Sequence, residues 1–331
     1  MANYNPPKLT INEDFELPEV DCSYYSPLNL KKAITECRDP IFSIFALNIR
    51  SCRKNFSSLL SFLSTFMLRF TIIVLLETWL SNDFDDTFNI TGYKQLNIYR
   101  NNHGGGIKMF YDENFSVDLL QEITFVDNLM EILSFYITGH NCKYLISCVY
   151  KPPSVNSLVF NDQFLSRVLS KLSSNENIIF VGDFNLNLYN PLKLRCIDEF
   201  VNNFLSFDYF PVINLPAMFN PNNPITKFSI IDQIWTNFKR GCNHTSGIVD
   251  FLITDHLPLF YFFTNYDKLP TKIIKFRQVN DVNSVTFNEA VNDTDFSEIF
   301  EINDPNTAFN VFYSKLFSLY NSCFPIKTKK L

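Results

Sequence analysis

The chain has 331 residues, more than the roughly 100–200 of one small domain, so one large domain with extensions, or two domains, is the starting expectation. Hydrophobic residues are 46% and charged residues 19%, with 36 Phe, which excludes a disordered chain and leaves ample apolar surface to bury. With 28 Lys+Arg against 34 Asp+Glu the formal net charge is -6, which repels a polyanion and, taken alone, argues against a nucleic-acid partner.

Residues 1–40 are polar and punctuated by Pro6, Pro7, Pro18 and Pro27, so they read as an extended leader that packs little, and they lack the basic start and apolar centre of a signal peptide. Ile41 to Leu47 is an apolar run of strand length. It is followed by Phe56, Leu59, Leu60, Leu63, Phe66 and Met67 at helical spacing, with Asn55 or Ser57 placed to cap. Thr71 to Leu76 is β-branched and continuous, the mark of a strand buried on both faces, and it ends in Glu77. The greasiest run, Phe62 to Leu76, is interrupted by Arg69 and falls short of the roughly 20 apolar residues of a membrane span. Gly104 to Gly106 read as a turn entering a strand at Ile107 to Tyr111, because no Lys-Ser/Thr follows as a P-loop requires.

The strand-then-helix design recurs. Tyr144 to Tyr150 reads as a strand, Phe160 to Leu172 as a helix and Ile178 to Val181 as a strand. Ile197 to Phe207 reads as a further helix, and Ile230 to Trp235, Gly247 to Ile253 and Leu257 to Phe263 as strands. After about Thr264 the pattern weakens into a partly helical connector, 266–331, with a helix-like stretch at Phe309 to Leu319. The eight cysteines are scattered without a CxxC pair, which supports neither a zinc site nor a disulfide framework and suits a reduced, intracellular chain.

A polar residue stands at or just beyond many of these strand ends: Asn48, Glu77, Tyr150, Asp183 with Asn185, Asp232, and Asp255 with His256. Strand ends project side chains from a rigid sheet into one crevice, so polar groups there read as a site more readily than charges in mid-helix. Carboxylates and carboxamides are hard oxygen ligands suited to Mg2+, and an imidazole can contact a phosphoryl oxygen or move a proton. Each residue also has a structural reading: Asn185 as a turn residue after Gly182, Asp255 as a cap, His256 as a satisfied core histidine. Their joint order favours a site.

The blocks Leu47-Asn48-Ile49-Arg50-Ser51, Leu76-Glu77-Thr78-Trp79-Leu80, Val149-Tyr150-Lys151-Pro152-Pro153, Gly182-Asp183-Phe184-Asn185, Ser229-Ile230-Ile231-Asp232 and Thr254-Asp255-His256-Leu257-Pro258 resemble the ordered signature of the endonuclease/exonuclease/phosphatase superfamily. The Glu-Thr-Trp-Leu and Tyr-x-Pro-Pro forms and the His-Gly-Gly-Gly stretch at 103–106 resemble, more narrowly, the apurinic-type endonuclease domain of non-LTR (LINE-like) retrotransposons. The resemblance covers roughly 41–265. It implies a four-layer α/β sandwich, two mixed sheets face to face with helices outside, of the DNase I-like kind.

The resemblance also implies an activity: a Mg2+-dependent endonuclease, with Mn2+ as substitute, that nicks one DNA strand to leave a 3′-hydroxyl and a 5′-phosphate and so primes reverse transcription. It assigns Glu77 to the metal, with Asp255 as a second contributor. Asp183 orients or deprotonates water, Asn185 and Asn48 hold phosphate and carboxylates, Tyr150 contacts the scissile phosphate, and His256 donates to a phosphoryl oxygen with Asp232 behind it. Thr226 and Arg50 are candidate substrate contacts. Arg50 stands where many repair-type relatives carry an acidic residue, and Gln233 where His or Asn is common. The implied partners are DNA, and a reverse transcriptase with element RNA supplied by a longer protein, with no membrane. The implied state is a monomer acting in the nucleus. The competing expectations are a non-catalytic truncated relic and another phosphodiesterase or phosphatase of the same superfamily. Setting Glu77, Asp183, Asp232 and Asp255 aside leaves the rest of 41–265 at +1, which weakens the objection from net charge.

Overall fold

A computed structural model describes residues 22–36, 42–81, 87–100, 104–139, 142–172, 177–189, 194–219, 228–238, 242–265 and 273–330. Two seven-stranded mixed sheets pack face to face. The first runs, in spatial order, Cys22–Tyr25, Cys242–Val249, Leu259–Asn265, Phe42–Asn48, Ile72–Leu76, Ile107–Asp112 and Tyr93–Ile98. The second runs Phe210–Pro211, Asp232–Thr236, Ile178–Asp183, Cys142–Tyr150, Glu131–Gly139 and Ser116–Leu119, with Phe125–Val126 paired beside Glu131–Gly139.

Each sheet is built around one parallel pair closed by a crossover helix. Phe42–Asn48 pairs in parallel with Ile72–Leu76 across the helix Cys52–Thr65, and Cys142–Tyr150 pairs with Ile178–Asp183 across the helix Ser157–Arg167. These strands are buried on both faces, which is why they read as unbroken apolar runs. The period of two still sorts them. Phe42, Ile44, Ala46, Ile72, Val74 and Leu76 point between the sheets toward Ile146, Cys148, Ile179, Val181 and Ile234. Phe45, Leu47, Ile73 and Leu75 point outward onto Phe56, Leu59, Phe62 and Leu63 of the first helix. On the far side Leu145, Val149, Ile178 and Phe180 meet Phe160 and Phe164, with Phe200 and Phe204 from the helix Arg195–Ser206. The result is the helix, sheet, sheet, helix order expected, and the Phe abundance is accounted for largely by these three apolar layers.

Three local expectations are revised. The leader expected to pack little contributes Cys22–Tyr25, paired in parallel with Ser246 to Val249, and the helix Pro27–Glu36, whose Leu30 is fully buried. A short edge strand and one apolar anchor are too little periodicity to stand out in sequence. Asn55 does not cap the first helix: the helix begins at Cys52, and the Asn55 amide donates back to the carbonyls of Ile49 (2.8 Å) and Arg50 (3.2 Å). The region beyond 272 forms more than a connector. Ile273–Arg277 pairs with Ile326–Lys330, and Asp281–Asp293 and Pro305–Cys323 are helices between them. Arg277 sits over the Tyr320 ring and donates to the Phe324 carbonyl. No helix among the described residues is long and apolar enough to cross a membrane.

Because Leu30 is fully buried, Leu30→Ala is expected to lower unfolding free energy in urea by about 2–5 kcal/mol. A leader without packing would show no change.

Candidate functional site

Asn48 ends its strand opposite Leu76 in register, so the loop that follows Leu76 is delivered beside it. Asp183 ends its strand with Tyr150 on one side and Asp232 on the other. The close approach is enforced by Gly182, where a Cβ would overlap the Val149 carbonyl. The two sheets thus bring their polar strand ends together. Asn48 Nδ2 donates to Glu77 Oε1 at 2.8 Å and to Asp183 Oδ2 at 2.9 Å, one hydrogen to each carboxylate. Asp183 Oδ1 accepts the Asn185 backbone N–H at 2.9 Å, and the Asn185 side chain donates to the Lys151 carbonyl at 2.7 Å. The Tyr150 hydroxyl hydrogen-bonds Glu77. Asn48, Tyr150, Asp183, Asp232 and His256 are all buried, and Glu77 is nearly so.

His256 enters from a short bridge to Met218. Its Nδ1 lies 2.7 Å from Asp232 Oδ2, which fixes Nδ1 as the protonated nitrogen and leaves Nε2 facing the crevice. Burial disfavours the imidazolium, but the Asp232 carboxylate outweighs it and raises the pKa to about 9. Asp183 is pushed well above the ordinary carboxyl range by burial and by the neighbouring Asp232 charge. Asp183, Asp232 and His256 place one ligand atom each within 4.8 Å of the others. Asp232 Oδ1 is buried with no hydrogen-bond partner among the described residues. Such crowding of buried anionic oxygen is the environment a hard cation relieves.

Asp255 lies at the outer rim. It is exposed and forms an ion pair with Arg50 (Nη2 to Oδ2, 3.1 Å), while the same Arg50 Nη2 lies 3.2 Å from His256 Nε2. Arg50, not an acid, thus occupies the mouth and links Asp255 to the buried His256. Thr226 lies outside the described residues, as does His103 of the 103–106 stretch. Gln233 is structural: its amide donates to the carbonyls of Leu186 (2.7 Å) and Ile230 (3.2 Å).

Four contributors escaped the sequence reading. Thr254 Oγ1 donates to the Asn48 carbonyl (2.9 Å) and accepts the His256 N–H (3.1 Å), seating the histidine loop on the first sheet. Trp79 Nε1 donates to Glu77 Oε2 at 3.3 Å. Lys151 is buried behind Asp183, its pKa lowered by desolvation, with Nζ donating to the Pro152 carbonyl at 3.3 Å. Glu131 is fully buried at the head of its strand, opposite Tyr150. Thr254, Trp79 and Lys151 lie inside the quoted blocks; Glu131 carries the strand-end signal at the start of a strand instead of its finish.

No protein-family model matches the sequence, and no curated protein matches it. Solved structures do resemble the fold. The endonuclease domain of TRAS1, a telomere-specific non-LTR retrotransposon, superposes with a TM-score of 0.53 at 12% identity, covering 69% of this chain and 99% of that one. A 3′-5′ exonuclease, NExo, from Neisseria meningitidis gives 0.51 at 14% identity over 67% of this chain and 99% of its own. NExo described as a 3′ phosphatase, in a substituted form bound to a product DNA hairpin, gives 0.50 at 13% identity over 67% and 99%. At these identities the likeness is one of fold: the α/β sandwich is DNase I-like.

The folded pKa of His256, about 9, lies above the unfolded value of 6.5, so the stability this group supplies is complete below pH 6.5 and is lost as pH rises through about 9. In EDTA the melting temperature is expected to fall across that window, and His256→Gln is expected to flatten the fall. An unchanged pH profile in the variant would contradict the Asp232–His256 pairing.

Proposed function

We propose that this protein is a metal-dependent DNA endonuclease of the endonuclease/exonuclease/phosphatase superfamily, of the non-LTR retrotransposon branch. In this reading it hydrolyses one phosphodiester to leave a 3′-hydroxyl and a 5′-phosphate. The observation that carries the reading is the Asn48 amide spanning Glu77 and Asp183 in the crevice where the Asp232–His256 pair presents Nε2.

The donor set fits Mg2+ or Mn2+, since its oxygens are hard and no cysteine sulfur lies among the residues that converge here. Glu77 would hold the ion, and Asp255 could join only by leaving Arg50. When bound, the ion supplies charge neutralisation at the phosphoryl and leaving oxygens. Everything else falls to the chain's own side chains. Asp183, held by Asn48 and Asn185 and with its proton affinity raised by burial, accepts a proton from the attacking water as the new P–O bond forms and the bond to the 3′ oxygen breaks, that oxygen taking its proton from solvent.

Arg50 Nη2 and His256 Nε2 lie 3.2 Å apart, a hydrogen bond when the ring is neutral; in the imidazolium that Asp232 favours, both nitrogens present N–H donors to the crevice. A non-bridging phosphate oxygen entering between them accepts from both, which replaces a repulsion by two charge-assisted hydrogen bonds. That contact strengthens as negative charge builds. The hydroxyl left at the nick is what a template-directed polymerase extends, so the reading includes a reverse transcriptase as partner. With a formal charge of -6 on the whole chain, DNA affinity is modest and falls steeply with salt.

Supercoiled plasmid is expected to be nicked in Mg2+ and left intact in EDTA. Asp183→Ala and His256→Ala should each lower the rate by at least ~100-fold, the scale of a lost transition-state contact. Full activity in both variants would end this assignment. Release of inorganic phosphate from a 3′-phosphorylated oligonucleotide, without plasmid nicking, would instead favour a phosphatase.

A further inference from the structure

Among the buried titratable groups that take no part in the steps above, Glu131 is the most constrained. It opens the strand Glu131–Gly139 in the second sheet, opposite Tyr150 in register, and is fully buried. Its carboxylate reaches across to the first sheet. Oε2 accepts the Gly106 backbone N–H at 2.6 Å, and Oε1 lies 3.6 Å from Arg100 Nη1. Burial raises its pKa to about 7 despite these two contacts.

The segment it grips has no room for side chains at Gly105 and Gly106. Gly104, Gly105 and Gly106 all have positive φ (95°, 73° and 86°). A Cβ on Gly105 would overlap Glu131 Oε1, and one on Gly106 would lie 2.5 Å from Thr78 Oγ1. The carbonyls of this turn face the Glu77 loop: Trp79 N donates to Gly105 O at 2.9 Å and Thr78 N to Gly106 O at 3.2 Å. On the opposite side the same loop is fixed by Ser51 N to Glu77 O (2.8 Å) and Cys52 N to Thr78 O (2.9 Å). Glu77 itself has φ 52° and Trp79 φ 53°, a conformation that non-glycine residues hold only when their surroundings impose it. The Gly104–Gly106 turn is half of what imposes it, and Glu131 holds that turn.

We infer that Glu131 is a positioning residue for the metal-binding loop: through Gly105 and Gly106 it fixes the backbone that presents Glu77, and it ties that loop to the strand bearing Tyr150. This rests on the reading of Glu77 as a metal ligand, and the test separates the two. The first measurement is metal-free amide hydrogen exchange by NMR. In Glu131→Ala the Thr78 and Trp79 amides are expected to exchange at least ~10-fold faster, whereas the Ile178–Asp183 strand keeps its protection. Glu131→Gln retains an oxygen acceptor for Gly106 N–H and is expected to stay within ~3-fold of wild type. Unaltered Thr78 and Trp79 protection in Glu131→Ala overturns the inference, and so does equal loosening of the whole sheet.

The second measurement counts free Mn2+ by electron paramagnetic resonance. Glu131→Ala is expected to weaken Mn2+ binding by ~10-fold, the usual scale for removing a group that orients a ligand, with Glu131→Gln close to wild type. If Mn2+ affinity is unchanged while wild type binds, the positioning role is overturned. If wild type binds no Mn2+, the metal reading of Glu77 fails, and the exchange data alone decide whether Glu131 sets the loop. Should Glu131→Ala not fold, Gly105→Ala displaces the same turn from the other side and carries the same expectations.

Discussion

One carboxamide joins the two carboxylates at the centre of the crevice. Glu77 and Asp183 come from opposite sheets, and two carboxylates buried at this separation would drive the sheets apart if left to themselves. The Asn48 amide has two hydrogens and gives one to each, at 2.8 and 2.9 Å, so like charges become arms of one network. A carboxylate at position 48 would add charge where the network has too much, and an aliphatic residue would leave two buried acceptors unmet at a cost of about 1–3 kcal/mol each. The rest is built around that fixed distance: Asn185 braces Asp183 from behind, Tyr150 reaches Glu77, and the Asp232–His256 pair closes the crevice beside Arg50.

The backbone around this network is strained, and the strain is localised. Arg50, Ser51, Glu77, Trp79 and Asn185 all have positive φ without being glycine, a conformation that costs of order 1–3 kcal/mol per residue. These residues lie immediately beyond strands whose apolar residues are wholly buried. The layers of Phe, Ile and Leu behind them supply the rigidity that keeps such turns from relaxing. Stability and site geometry are thus divided along each strand, apolar residues fixing the register and the last residue or two bearing the strain.

Much of this was legible in the sequence for a physical reason. Strands buried on both faces write themselves as unbroken apolar runs, and a polar residue closing such a run has nowhere to point but the end of the sheet. Asn48, Glu77 and Asp183 were found that way, and the structure brings them together; Asp232, which opens its strand, was found through its block. The signal failed where its premise failed. Glu131 starts its strand, and Cys22–Tyr25 is a short edge strand whose exposed Ser23 breaks the apolar run. Arg50 and Asp255 show a different limit. Spacing can bring two residues to one rim, but whether an acid there meets a metal or an arginine depends on a side chain more than two hundred positions away.

The order of strands in the first sheet has a consequence for how the protein comes into being. Phe42–Asn48 lies at the middle of that sheet, yet one of its edges is covered only by Leu259–Asn265, which arrives more than two hundred residues later. His256 travels on the same late segment. On the ribosome, then, the early strands wait with an open edge until synthesis passes residue 265, and the crevice gains its imidazole in the step that closes the sheet. A prematurely terminated chain lacks the closing strand and the histidine together. Closure of the first sheet and arrival of the histidine are thus one step in synthesis.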